Sequence, residues 1–478
     1  MVDHYAASSS GDSAIGRARA KETRGRTLVL CFDGTAGQYD NENSNVVKLF
    51  SLLIKDPNEQ LCYYQPGIGT WFKPGIVSPV LQWGAKFMDL AIAWYLDEHV
   101  LEGYRYVMQN YRAGDRICLF GYSRGAYTAR ALAGMLHKVG LLPRDNDAQM
   151  QFAYKLYTRE DAEGLKLAEG FKKTYCQSVN IEFVGLWDTV ASVGVIMGRT
   201  LPFTNSNSSI RIFRHAVALD EHRARFRVNL YHRMSPTFAL HTNVAKENAP
   251  SMKGSTSTGR NTSSNPSSSD SNNSMESSQS KKRKSLLQRL STAKTPERVA
   301  FSTLQEGGKS TSTKTEGSSD VLEVWFAGCH ADVGGGSVQN DAPYSLSNIT
   351  LRWMVRQAAS AGCVRFDEEA LMRENISLQG GEEGELDERD KIDAVQPIYD
   401  SLKISPIWWV LEIMPMTYVW QDKDGFWHRT FKWNLGKGRK IEEHKPHFHE
   451  TVRVRSSAVE LGYKPKAQWE AGKEVYVR

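Results

Sequence analysis

The run Arg116-Ile117-Cys118-Leu119-Phe120 is apolar and of strand length. Gly121-Tyr122-Ser123-Arg124-Gly125 follows at once, and Ala126 to Leu136 then repeats with helical periodicity. A strand, a G-x-S-x-G turn and a helix in immediate succession are the setting in which a serine becomes a nucleophile. So tight a turn has no room for bulky neighbours, so glycines flank the serine at two residues' distance. The following helix directs backbone N–H groups and the positive end of its dipole toward the hydroxyl. A glycine-rich turn whose serine merely caps the helix would give the same letters. The distinction rests on what else the chain brings to the same edge.

Strand-like runs recur, and they end alike. Thr27-Leu28-Val29-Leu30-Cys31-Phe32 stops at Asp33-Gly34-Thr35, Val179 to Trp187 stops at Asp188-Thr189, and Val321 to Phe326 leads to Gly328-Cys329-His330. Helical patterns lie between them. One runs from about 85 to 112, with Ala91, Tyr95, His99 and Tyr106 on or near one face; others fill roughly 146–173 and 346–361. Strands alternating with helices predict an α/β fold, a mostly parallel sheet with helices on both faces. In such sheets the reactive crevice lies at the carboxyl ends of the strands. Four predicted strands therefore deliver Asp33, Ser123, Asp188 and His330 to one edge.

With 478 residues, 40% of them hydrophobic and 10% aromatic, the chain can build a large core. Residues 1–25 read as a disordered tail. Residues 26–244 read as the first part of the α/β domain, and 245–320 as a disordered Ser/Thr-rich insertion too polar to offset the entropy of ordering. Residues 321–478 carry the remainder of the domain and a C-terminal extension. The net charge of +6 is mild, and part of it sits in Lys281-Lys282-Arg283-Lys284, so nucleic acid is not an expected partner. That cluster reads as a solvated charge run, with a nuclear-localisation signal or, with Ser285 to Leu290, a short basic amphipathic helix as the other readings. Six cysteines without a C-x-x-C pair, Cys31, Cys118 and Cys329 among them in expected buried strands, predict reduced thiols and an intracellular, cytoplasmic protein. The polar start of the chain shows no signal peptide. Ile404 to Trp420 is the most apolar stretch, but Pro406, Glu412 and Pro415 interrupt it. A membrane span is rejected there; a peripheral membrane surface is not.

A serine hydroxyl needs a base near neutral pH, and the base needs an acid to orient it. Ser123, Asp188 and His330 stand in the chain order of α/β-hydrolases. His222 is the rival base, and Asp332 is the substitute acid or else a residue that orders its loop. The oxyanion hole is expected from the Arg124 N–H and from Gly34 or Thr35, with Asp33 fixing that loop. Gly67-Ile68-Gly69-Thr70 reads as a turn. Phe32-Asp33-Gly34-Thr35 is similar to the D-x-D-G-T motif of haloacid-dehalogenase-type phosphatases, but Cys31 stands where their nucleophilic aspartate would be.

Five ordered motifs carry a wider resemblance: Leu30 to Thr35, Asn43 to Val46, Gly121 to Arg130, Gly185 to Val190 and Gly328 to Gly336. Together they resemble the α/β-hydrolase family of the type VI secretion phospholipase-effector-like catalytic domain, over about residues 25–360. The long Ser-rich insertion is similar to that of the intracellular fungal members. The resemblance implies an α/β-hydrolase-like fold and serine-hydrolase chemistry on a carboxylic ester, a small molecule or a lipid. No cofactor is expected, and no metal cluster with ligand-like spacing stands out in the sequence. A catalytically idle hydrolase fold used for binding or regulation is the competing function. Trp408-Trp409-Val410-Leu411 is expected as a buried helix, with a lipid-facing lid as the alternative. Acyl-chain length, alcohol group and oligomeric state stay open.

Overall fold

The computed structural model describes residues 25–35, 37–67, 81–190, 201–204, 206–232, 319–378, 386–422 and 427–478. Residues 1–24 and 245–318, where the disordered tail, the insertion and the basic cluster are expected, lie outside the described residues, as do 68–70 of the expected glycine turn. The described residues hold the strands β1 (Thr27–Phe32), β2 (Gln60–Gln65), β3 (Arg116–Tyr122), β4 (Ile181–Trp187), β5 (Ile210–Ala218), β6 (Asp320–Phe326), β7 (Met416–Gln421), β8 (Trp427–Lys432), β9 (His447–His449) and β10 (Val475–Val477). Eight form one sheet in the order β10-β9-β6-β5-β4-β3-β1-β2. Every pairing in it is parallel, where the sequence led us to expect mostly parallel.

Both faces of this sheet are covered, which is why β1 and β3 read as continuous apolar runs instead of alternating ones. Leu28, Leu30 and Phe32 of β1 and Ile117 and Leu119 of β3 join one core. That core is shared with α2 (Leu81–Asn110), α3 (Arg124–Val139), α4 (Asp147–Thr158) and α5 (Ala162–Tyr175). The alternate residues Val29, Cys31, Cys118 and Phe120 face the opposite core, under α1 (Asn45–Ser51) and α7 (Leu346–Ser360). The single-turn α6 (His330–Gly334) follows β6 directly. Among the described side chains of α2, Leu96, Val100, Tyr104 and Val107 are buried; His99 and Tyr106 of the expected face are partly buried, and the side chains of Ala91 and Tyr95 lie outside the described ones. All six cysteines are free, and Cys329 is buried at the head of α6 just beyond the strand expected to hold it.

Four sheet strands went unread. β5 is one of them, because Arg211, Arg214 and His215 break its apolar run. The structure gives each of them a carboxylate partner: Arg211 Nη2 lies 2.5 Å from Glu182 Oε1, Arg214 Nη2 lies 2.6 Å from Asp320 Oδ2, and His215 Nδ1 lies 2.7 Å from Glu323 Oε1. β9 and β10 come from the C-terminal segment and extend the same sheet beyond β6.

The chain divides into two units. Residues 1–233, 302–418 and 431–478 make the first, which holds the eight-stranded sheet; residues 234–301 and 419–430 make the second. In the second, Trp420 stacks on His428 with ring centres 4.4 Å apart, and His428 Nε2 is 2.6 Å from Asp422 Oδ2.

Helix α3 can lie hard against β1 only because residue 125 has no side chain. A Cβ there would stand 2.3 Å from the backbone oxygens of both Phe32 and Asp33. Gly125→Ala is expected to destabilise the fold by about 1–3 kcal/mol, as overpacking does. A lowered thermal midpoint is the readout, and an unchanged midpoint would contradict the close approach.

Candidate active site

Ser123 sits between β3 and α3 with φ +58° and ψ −121°, a conformation that side chains rarely adopt and that costs on the order of 1–3 kcal/mol. The neighbours hold it there. The Ser123 N–H donates to Trp187 O at 3.0 Å, and Ser123 O accepts from Val190 N–H at 3.3 Å. Gly121 makes room for the turn, since a Cβ on it would lie 2.6–2.7 Å from the backbone of Gly125 and Ala126. Strand, elbow and helix thus occur where the motif requires them.

From Ser123 a hydrogen-bonded chain crosses three strand ends. Ser123 Oγ is 2.8 Å from His330 Nε2, and His330 Nδ1 is 2.5 Å from Asp188 Oδ2. Asp188, fully buried, also accepts from the Ala218 N–H at 2.9 Å and from both terminal nitrogens of Arg439, at 2.5 and 2.9 Å. Burial alone would push the Asp188 carboxyl up. Arg439 and His330 outweigh it and hold the carboxyl well below the usual carboxylate range. A charged carboxylate only accepts, so His330 Nδ1 carries the proton and Nε2 presents its lone pair to the serine hydroxyl. Burial lowers the His330 imidazole from its ordinary value; Asp188 and Glu221 pull the other way, and Arg223 adds to the lowering. The ring is held between Tyr122 and Phe226, with centres 4.7 and 4.9 Å away, and Tyr122 Oη donates to His330 O at 3.2 Å. A neutral imidazole aimed at a hydroxyl, with a carboxylate behind it, can take that hydroxyl's proton.

The remaining expected residues divide. Asp332 does not reach the imidazole: its carboxyl accepts from Cys329 N–H at 2.8 Å and Tyr399 N–H at 3.1 Å, ordering the α6 loop. Burial pushes that carboxyl up to about 7. His222 is engaged elsewhere, with Nε2 near Asp400 (2.8 Å) and Lys466 (2.7 Å) and Nδ1 near Gly436 O (3.0 Å). Asp33 fixes its loop, accepting from Gly34 N–H at 2.7 Å and Tyr64 Oη at 2.8 Å. The Gly34 N–H is thereby committed to Asp33, although Gly34 itself abuts the site: a Cβ on it would be 3.3 Å from Ser123 Cβ. Arg124 heads α3 and its guanidinium donates to Thr35 Oγ1, drawing the β1 loop toward the elbow. Among the described residues no group of three or more His, Cys, Asp or Glu is placed to hold a metal ion, and no helix is long and apolar enough to cross a membrane.

Three residues escaped the sequence reading. Arg439 lies in Gly436-Lys437-Gly438-Arg439-Lys440, which has the composition of an exposed turn, yet its side chain is buried and also donates to Ala218 O and Phe226 O. Glu221, buried, accepts from the His330 N–H at 3.2 Å and pairs with Arg223 at 2.8 Å. His215 Nε2 accepts from the Thr189 N–H at 3.0 Å and so pins the residue after Asp188. The Asp220-Glu221-His222-Arg223 run carried a signal for Glu221; nothing local marked Arg439.

Removing one partner of a buried ion pair strands the other charge. Arg439→Ala is expected to cost about 3–5 kcal/mol, read as a lower urea midpoint. A loss below about 1 kcal/mol would mean that Asp188 does not depend on it.

The family model described as T6SS, Phospholipase effector Tle1-like, catalytic domain matches residues 26–357. An uncharacterized protein of Saccharomyces cerevisiae is 29% identical over an alignment 543 positions long, gaps included, that covers 91% of this chain and 79% of that protein. Among solved structures, an uncharacterized protein from Pseudomonas aeruginosa shares 18% identity with a TM-score of 0.36, over 76% of this chain and 51% of its own. This chain thus spans about half the length of that Pseudomonas protein. The Tle1 effector bound to the VgrG spike of the type 6 secretion system shares 13% identity with a TM-score of 0.36, over 86% of this chain and 92% of its own. With the match running through well over half its length, the chain belongs to the family of the Tle1-like phospholipase effector catalytic domain.

Proposed function

We propose that the protein is a serine hydrolase that cleaves a carboxylic ester through an acyl-enzyme, with phospholipids as the substrate class to which its family points. The observation that carries this reading is the unbroken chain from Ser123 Oγ through His330 to Asp188. Ser123 Oγ attacks the ester carbonyl carbon while His330 Nε2 takes its proton, and Asp188 steadies the imidazolium. Collapse of the tetrahedral intermediate breaks the C–O bond, and the leaving alkoxide takes that proton from His330. Water, deprotonated by the same nitrogen, then releases the acid and restores the serine. The backbone N–H of Arg124, at the positive end of α3, and that of Thr35 are the donors suited to the oxyanion, the Gly34 N–H being committed to Asp33. Arg439 acts through Asp188 as a positioning residue.

A fluorophosphonate probe is expected to label the wild-type protein and to leave Ser123→Ala unlabelled. Equal labelling of the two, or none of either, sinks the acyl-enzyme. On an ester substrate Ser123→Ala is expected to lower kcat on the order of 10⁶-fold, and Asp188→Asn on the order of 10⁴-fold.

The pH profile carries a sign. Burial and Arg223 lower the His330 pKa, so the basic imidazole persists below its ordinary value of about 6.5, and the acid limb of kcat/KM falls under that pH. In Arg439→Gln the Asp188 charge loses its counter-ion and draws a proton onto His330, so the limb moves to higher pH. A variant that loses activity with the limb unmoved would make Arg439 a structural support only.

A further inference from the structure

Residues 400–414 and 431–440 of the first unit form one patch on the surface beside His330. The segment is built from helix Ser401–Ile404, the 3-10 turn Pro406–Trp408 and helix Trp409–Glu412. Ile404, Ile407, Val410 and Ile413 fall every three residues along it and are all more than half exposed, from 54% at Val410 to 66% at Ile407. Phe431 and Trp433 are exposed at 70% and 57%. The two stretches are joined: Gly436 N–H donates to Glu412 Oε2 at 2.9 Å, Asn434 Nδ2 to the same oxygen at 2.7 Å, and the Trp409 ring stands against Gly436. The expectation of a buried helix at Trp408 to Leu411 is therefore corrected. Its apolar side faces out because the inward side is taken by Leu402 and the carboxylate of Glu412.

Charge is sorted across the same stretch. Its two carboxylates, Asp400 and Glu412, are buried and turned inward, onto His222 with Lys466 and onto the Ala224 N–H respectively. Its exposed charges are amines: Lys403 with its side chain 77% exposed, Lys432, Lys437, and Lys440, which reaches Glu442 at 2.6 Å. A surface with several bulky apolar side chains rimmed by lysines is what an anionic lipid interface accepts: apolar groups enter the acyl boundary while amines stay among the headgroups. The patch also leads to the site. Trp408 meets Phe226 with ring centres 5.5 Å apart, and Phe226 meets His330 at 4.9 Å.

The geometry points to this patch as a docking surface for an anionic lipid membrane, which would set the protein on the interface with the Ser123 site beside it. The proposal deepens the hydrolase reading by naming the surface through which that site meets its substrate phase. The test is co-sedimentation of the full chain, carrying Ser123→Ala to prevent turnover, with vesicles of phosphatidylcholine alone or mixed with phosphatidylserine. Binding to the mixed vesicles is expected, weakening with salt. Lys432→Gln and Lys437→Gln should each weaken it about fivefold, and Ile407→Ser with Ile413→Ser at least tenfold. Fluorophosphonate labelling in solution, on the Ser123 background, should be unchanged in these patch variants, which shows that they fold. Equal binding by wild type and patch variants overturns the proposal, as does no binding to either vesicle. So does a dimer in sedimentation that the isoleucine variant abolishes, because a second copy would then cover the face. The hydrolase reading fails separately, on the labelling of Ser123, whatever the vesicles show.

Discussion

Asp188 is a fully buried charge, and the architecture around it is organised to keep it ionised. Its carboxylate takes hydrogen bonds from the end of β5, from the imidazole after β6 and from a guanidinium out of the C-terminal segment. An isolated carboxylate at that depth would protonate instead of ionising, and a neutral acid could not fix the tautomer of His330. The Arg439 pair therefore sets the condition under which Ser123 meets a lone pair. The guanidinium also offsets the carboxylate's field, so His330 feels less of it than an isolated Asp–His pair would impose.

The sheet supplies the rest of the geometry. Parallel pairing brings the carboxyl ends of β1, β3, β4, β5 and β6 side by side, and the residues that follow them converge without any long loop having to find its place. Ser123 N–H and Asp188 N–H each prolong the neighbouring ladder by one bond, to Trp187 O and Ala216 O. Both residues adopt positive φ immediately afterwards, at +58° and +38°. Strain at these two points is thus carried by ladders that are already formed.

Where the physics was local, the sequence was readable. Apolar runs marked β1, β3 and β4 because both faces of those strands are buried, and β6 because its last three residues are, and the polar residues following them proved to be neighbours. β5 was hidden by polar and charged residues whose partners, Glu182, Asp320 and Glu323, only the folded sheet brings to them. Arg439 was hidden for the same reason: its value depends on a carboxylate some 250 positions earlier. The Trp408 region was misjudged because apolar composition alone does not say which side of a short helix has a partner; Glu412 decided that by turning inward.

The C-terminal segment contributes both β9, which covers the edge of β6, and Arg439, although the family match stops at residue 357. This has a temporal consequence. Chains fold as they are made, with earlier segments emerging first. Ser123, Asp188 and His330 all emerge before residue 439, and until it arrives the carboxylate has no guanidinium and β6 has an open edge. The hydrogen-bonded chain from Ser123 through His330 to Asp188 therefore gains its last partner only with the segment that also covers the edge of the sheet.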